Sequence, residues 1–331
     1  MNVLITGGDG FIGSHIVEHI LNKTDWNISL LGTNNNKWRI KELNDKDNRI
    51  QFAYQDLCKT INPWKARLLP KDIDYVLHLA SKTLVDDSIK DPKSFIYTNI
   101  MGTVNLFEYI RRYISPKAII NYGTDEVYGP APNKYNFKED DRWRPSSPYS
   151  ASKCGQMAIG MAYAKTYGLP IIHTYTMNVF GERQSNDKLI PIAIRKFLEN
   201  KPMTIHAKMD GDKILEVGSR HWLYAKSAAD ATIFLLKNGK ENEHYNIAGD
   251  VELPNISMTD LIASFMNIEP KYEYIDFHKT RPGHDRRYSL DGNKINNMGW
   301  KSPFPFIESM EKTIKWYLNN KERLYEGIHT V

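Results

Sequence analysis

The chain has only two cysteines among 331 residues, Cys58 and Cys154, far apart and in no CxxC pair. That excludes a disulfide framework and a cysteine-based zinc site, and it points to a reducing compartment. No apolar run approaches the roughly 20 residues that span a bilayer. Nor does the start, with Val3-Leu4-Ile5-Thr6 close behind Met1, show the basic region and cleavage site of a leader. Charge of one sign is also lacking: 44 Lys and Arg oppose 39 Asp and Glu, a formal +5 without a basic tail or stripe. Nucleic-acid binding needs such a stripe. The composition predicts a cytoplasmic protein with no nucleic-acid or membrane partner and no metal, long enough to bury a sizeable core unaided.

What is present is a rhythm. Val3-Leu4-Ile5, Ile28 to Leu31, Ile50 to Tyr54, Tyr75 to Leu79, Ala118 to Tyr122 and Ile171 to Tyr175 read as buried strands. Helical spacing fills the intervals, with long helices expected over Ser94 to Tyr113 and Ser150 to Tyr167. Apolar strands alternating with helices predict an α/β fold, a Rossmann-type doubly wound parallel sheet. After Asn178 the rhythm stops, and Lys208 to Gly218 reads as an excursion loop. The expected division is a dinucleotide-binding domain over residues 1–177, with part of 221–250 returning to it, and a smaller substrate-binding domain over 178–331.

Gly7-Gly8-Asp9-Gly10-Phe11-Ile12-Gly13 follows the first strand and opens the first helix. Gly7 permits the tight turn, Gly10 the approach of a pyrophosphate, and Gly13 close packing of helix on strand. Asp56, with Leu57, is placed to accept from an adenine amino group, and Leu79-Ala80-Ser81 leave room for a dinucleotide. The second strand ends Leu31-Gly32-Thr33-Asn34, without the acid that holds a ribose 2′-hydroxyl. Lys37 and Arg39 are close enough in sequence to meet a 2′-phosphate instead. NAD is the expected cofactor, with NADP left open.

Tyr149 and Lys153 stand four apart on a predicted helix and share a face. A tyrosine with a pKa of about 10 is a poor base near neutrality, and a neighbouring ammonium favours its phenolate. Lys153 is also placed to hold the nicotinamide ribose. Thr124-Asp125-Glu126 leaves the carboxyl end of the fifth strand, where ligands of such sheets bind. Thr124 would share a substrate hydroxyl with Tyr149. Two adjacent acids in unlike environments divide into a proton donor and a base.

These residues resemble the extended short-chain dehydrogenase/reductase family, and within it the sugar-nucleotide 4,6-dehydratases. The likeness covers nearly the whole chain. It includes Val85 to Ile89, Thr98 to Ile100, Thr124 to Gly129, Ser146 to Lys153, Lys188 to Pro191, Tyr245 to Ile247 and Arg281 to Tyr288. It implies a redox-neutral elimination on an NDP-hexose (dTDP-glucose or UDP-glucose). Tyr149 takes the 4-hydroxyl proton, Glu126 the C5 proton, and Asp125 protonates the departing 6-hydroxyl. The implied cofactor contacts are Gly7, Gly10, Phe11, Ile12, Gly13, Thr33, Asp56, Leu57, Leu79, Ala80, Ser81, Asn99, Tyr149 and Lys153. The implied substrate contacts are Thr83, Thr124, Asn178, Lys188, Leu189, Arg220, Asn246, Arg281 and His284, within a homodimer.

The sequence departs from that pattern at Lys82 and Leu84, where Glu and His are usual, at Val179, at the insertion of 208–218, and at His221 in place of an acid. A nucleotide-sugar 4-epimerase would use the glycine turn, Thr124, Tyr149 and Lys153 without needing the acid pair. A catalytically silent dinucleotide-binding regulator is the third reading.

Overall fold

The computed structural model describes residues 1–33, 38–61, 70–211, 213–276 and 287–326. Its centre is a sheet of strands β1 (Asn2–Thr6), β2 (Asn27–Gly32), β3 (Ile50–Tyr54), β4 (Tyr75–His78), β5 (Ala118–Thr124) and β6 (Ile171–Thr176). The remaining strands are β7 (Val179–Phe180), β8 (Met203–Asp210), β9 (Lys213–Val217), β10 (Ser219–Tyr224), β11 (His244–Ile247), β12 (Val251–Pro254), β13 (Tyr272–Asp276) and β14 (Arg287–Tyr288). The large sheet has seven strands in the order β11-β6-β5-β4-β1-β2-β3. All of its pairings are parallel. The chain winds outward from β1 in one direction and from β4 in the other, so their carboxyl ends border the crevice where such sheets bind ligands.

Alternation along each strand feeds two cores. In β1, Val3 and Ile5 join the cluster that holds Ile16, Val17 and Ile20 of helix α1 (Phe11–Lys23), whereas Leu4 faces Leu106, Phe107 and Ile110 on the other side. Each such aliphatic side chain contributes roughly 1.5–3 kcal/mol when fully buried. A third core collects Phe180, Ile194, Trp222, Tyr224, Met258 and Ile314, and packs the later elements beside the sheet.

Two expectations change. The helix read from Ser94 is three pieces, α-helical over Pro92–Ile96 and Gly102–Tyr113 with a π-helical turn over Tyr97–Met101 between them. The stretch 208–218 is no loop: most of it forms the antiparallel hairpin of β8 and β9, with a register shift between Lys208 and Met209. That hairpin extends a three-stranded sheet through the parallel partner β13.

Candidate active site

The glycine-rich turn is shaped by contacts that tolerate no side chain. Gly7 has a positive φ of 69°, and a β-carbon on it would stand 2.7 Å from the Ala80 nitrogen. A β-carbon on Gly13 would stand 2.2 Å from the Gly7 carbonyl oxygen. The Gly10 amide donates to that oxygen at 3.0 Å and closes the turn. Helix α1 starts at Phe11 behind Gly10, which gives no side-chain cap to its first amides, and Gly10 to Gly13 border the cleft. Such amides and the positive helix end form an anion site. The floor is set by Thr6, whose Oγ1 accepts from the Ala80 amide at 3.2 Å and pairs with His78 Nδ1 at 2.8 Å. The residues fit a dinucleotide.

The second half of the site hangs on two local devices. Ser147 caps the helix Pro148–Tyr167, accepting from the Ser150 amide, while Ser150 Oγ accepts from the Ser147 amide at 2.9 Å. This capping box, with Pro148 inside the first turn, brings Tyr149 into the first turn and Lys153 one turn further on. At the end of β5, Thr124 Oγ1 donates to Asp125 Oδ1 at 3.1 Å and accepts from the Glu126 amide at 3.4 Å. That folds 125–127 into a tight 3₁₀ turn.

One cleft of about 640 Å³ collects these parts. Gly7, Gly10, Phe11, Ile12, Gly13, Thr33, Asp56, Leu57, Leu79, Ala80 and Ser81 line one end, and Thr124, Asp125, Glu126, Tyr149 and Lys153 the other. Thr83, Asn178, Lys188 and Leu189 border the second end. Both acids therefore border the same cleft as the tyrosine.

The electrostatics differ from what the Tyr-Lys spacing suggested. Lys153 Nζ donates to the Tyr122 carbonyl at 2.8 Å and to Gln156 Oε1 at 2.6 Å, and burial brings its pKa down to about 7. Burial and then the Glu126 charge push the Tyr149 phenol up, against a smaller opposing effect of a hydrogen bond with Thr124. Desolvation is the largest effect on this phenol. Burial pushes Asp125 up to about 7, opposed by its bond from Thr124 and by the charge of Arg220. Its Oδ2 is buried without a hydrogen-bond partner. Glu126 is only half buried. The two acids thus differ as a proton donor and a base must.

Some expected residues lie elsewhere. Asn99 sits in the π-helical turn and does not line the cleft. Its Oδ1 accepts from the Lys82 amide at 2.8 Å, and its Nδ2 donates to Ser152 Oγ at 2.8 Å. It ties the loop after β4 to the helix of Tyr149. Asn246 spends its amide on the Phe137 and Asp291 carbonyls, at 2.9 and 3.2 Å. Arg220 lies behind the cleft, 4.6 Å over the Tyr288 ring, with Nη1 on the Ser219 carbonyl. Lys37, Arg281 and His284 lie outside the described residues. The cleft also contains side chains to which the motifs assigned no role: Asp9, Gln55, Cys58, Thr98, Gln184, Ser185 and Trp222. Asp9 was in plain view, inside the glycine turn itself.

A crevice of this sheet order with a glycine-rich turn and a Tyr-x-x-x-Lys helix is that of the extended short-chain dehydrogenases. The chain belongs to the GDP-mannose 4,6 dehydratase family, whose model matches residues 4–313. It is 39% identical to dTDP-glucose 4,6-dehydratase 1 of Escherichia coli K12, over 97% of this chain and 93% of that protein. A crystal structure of the Streptomyces venezuelae dTDP-glucose 4,6-dehydratase with NAD bound superposes with a TM-score of 0.87 at 30% identity, covering 97% of this chain and 98% of that one. The Thermus thermophilus UDP-glucose 4-epimerase, solved with NAD, gives 0.83 at 26% identity, covering 96% and 98%.

Proposed function

We propose that the chain is an NAD-dependent nucleotide-sugar 4,6-dehydratase, a hydro-lyase of deoxysugar biosynthesis. It turns an NDP-glucose, with dTDP-glucose and UDP-glucose as the substrates to try, into the NDP-4-keto-6-deoxyhexose. The observation that carries this reading is that Asp125 and Glu126 share one cleft with Thr124, Tyr149 and Lys153, bordered by the glycine turn. When bound, NAD supplies the hydride acceptor for C4 and the hydride donor for C6, ending oxidised as it began.

The chain's own residues handle the protons. Tyr149, its phenolate favoured by the Lys153 ammonium together with the positive charge of a bound nicotinamide, accepts the proton of the sugar 4-hydroxyl, with Thr124 fixing the direction of its lone pair. Lys153 holds the nicotinamide ribose with the N–H left over from its bonds to Tyr122 and Gln156, and in its ammonium form favours the phenolate. The 4-keto group acidifies C5–H, and Glu126 removes that proton. Asp125, kept protonated by burial, delivers its proton to the leaving 6-hydroxyl, which departs as water. Glu126 then returns a proton to C5 as hydride arrives at C6, and the cycle closes when Tyr149 loses its captured proton to solvent and Asp125 takes one back.

Thr83, Asn178, Lys188 and Leu189 are the proposed sugar-nucleotide contacts, to which the family pattern adds Arg281 and His284, both outside the described residues. Asn178 Nδ2 is buried without a partner, a donor suited to a sugar or base edge. Residues 1–177 with part of 221–250 form the cofactor domain, and 178–331 the substrate domain. A second copy packs on the exposed Ile96, Tyr97, Met101 and Met161, making a homodimer. The free thiols Cys58 and Cys154 suit a cytoplasmic enzyme. Among the described residues no helix is long and apolar enough to cross a membrane.

Incubation with a panel of sugar nucleotides and NAD tests the reading. The expected product has lost one water and gains absorbance in alkali. Recovery of the 4-epimer alone would favour the epimerase, whose fold this chain shares.

A further inference from the structure

The carboxyl end of β2 is where a Rossmann crevice ordinarily keeps an acid for the adenosine ribose. Here the strand ends in Gly32, which has no side chain to offer. Among the described residues other than its chain neighbours, a β-carbon built on Gly32 finds one heavy atom within 4 Å, Asp9 Oδ1 at 4.0 Å. The carboxylate of the glycine-rich turn therefore reaches the position that a side chain at 32 would occupy. Asp9, Gly32 and Thr33 line the same end of the cleft as Gly7 to Gly13 and Asp56.

Of the two cations expected to meet a 2′-phosphate, Lys37 lies outside the described residues and Arg39 has partners of its own. Arg39 is buried, its Nε donates to the Arg183 carbonyl at 2.9 Å and its Nη2 to Ser185 Oγ at 3.3 Å. Its guanidinium also lies 4.6 Å over the Trp38 ring. It clamps the 183–185 loop against the helix that follows β2, and although it also borders the cleft within reach of the Asp9 charge, these bonds take up its Nε and Nη2.

We propose that Asp9 supplies the ribose-binding carboxylate that β2 lacks, accepting from the adenosine hydroxyls and selecting NAD over NADP by repelling a 2′-phosphate. The inference rests on the cofactor reading above, and it moves the specificity determinant from the strand end into the turn that holds the pyrophosphate. A hydrogen bond to a charged acceptor is worth about ten- to a hundredfold in affinity.

Calorimetric titration of the full chain with NAD and with NADP tests this without turnover. Wild type is expected to prefer NAD by about a hundredfold. Asp9→Ala should lose about tenfold or more in NAD affinity, and Asp9→Asn should gain NADP affinity. The paired change Asp9→Ala with Gly32→Asp should restore both NAD affinity and preference, since space at 32 is open toward the vacated carboxylate. Such a recovery is beyond a misfolded variant. NAD and NADP affinities in Asp9→Ala within twofold of wild type would overturn the assignment. A wild-type chain that bound neither dinucleotide would instead bring down the cofactor reading beneath it, which distinguishes the two failures.

Discussion

The two ends of the cleft are built on opposite principles. The dinucleotide end is made of main chain held at close quarters: Gly7, Gly10 and Gly13 leave amides and a helix end, and their own contacts are satisfied within the turn. The proton-transfer end is made of side chains held out of water, with a buried carboxyl oxygen on Asp125 and a buried amide on Asn178 left without partners. Backbone amides need no tuning to bind phosphate. Proton donors do, because a carboxyl near its ordinary pKa would be ionised at neutrality, and burial is the means by which this fold shifts it. Stability is spent at the second end and conserved at the first.

The contrast can be broken from either side. The largest effect belongs to Tyr149→Phe, which removes a proton acceptor without moving the glycine turn. Turnover should fall by about 10²–10⁴-fold with NAD affinity unchanged in a binding titration. Asp125→Asn should come next, slowing elimination by about a hundredfold while reduced cofactor still appears in a rapid-mixing experiment, because C4 oxidation does not use this acid.

The same residue gives the pH dependence. As a donor, Asp125 must hold its proton, so wild-type elimination should decline as pH rises through about 7. For stability the sign follows from a folded pKa raised above the unfolded value of about 3.9. The unfolded chain releases this proton first, so folding loses free energy as pH climbs from about 4 to 7, and the loss is complete above 7. Asp125→Asn, which carries no such cost, should melt higher than wild type at pH 8 and nearly level with it at pH 4, the gap having a ceiling of about 4 kcal/mol. Thermal melts at the two pH values check this.

The smallest of these effects tests the glycine end. Gly13→Ala places a methyl 2.2 Å from the Gly7 oxygen, so helix and turn must separate. It should cost about 1–3 kcal/mol of stability and weaken NAD binding, while leaving the pH response of Asp125 in place. Calorimetry and melting curves report the two parts separately.

Much of this was readable from the residues. The continuous apolar runs of β1, β4, β5 and β6 have one interpretation in a parallel sheet covered on both faces, and the spacing of Tyr149 and Lys153 places them on one helix face. The hairpin escaped because Lys213, Ile214 and Leu215 of β9 are all exposed and the register shifts between Lys208 and Met209, so the alternation of Met203, Ile205 and Ala207 in β8 does not carry on through the turn. The π-helical turn is equally silent, since its extra residue leaves the surrounding helical pattern intact. Asn99 and Asn246 sit within family motifs, yet the groups that use their amides lie far off in sequence at Lys82, Ser152, Phe137 and Asp291. A motif names a residue and not its partners. The same limit applies to Tyr149, whose phenol answers first to burial and then to the charge of Glu126.

A reaction run to completion in deuterium oxide tests the shared hexose site most directly. Glu126 exchanges its captured proton with solvent before returning one, so wild type should give a 4-keto-6-deoxy product, one water lighter than the substrate, carrying a single deuteron at C5. Glu126→Gln should still oxidise C4 and yield none of it. A product that keeps its 6-hydroxyl and its C5 hydrogen, in wild type as in the variant, would contradict the account.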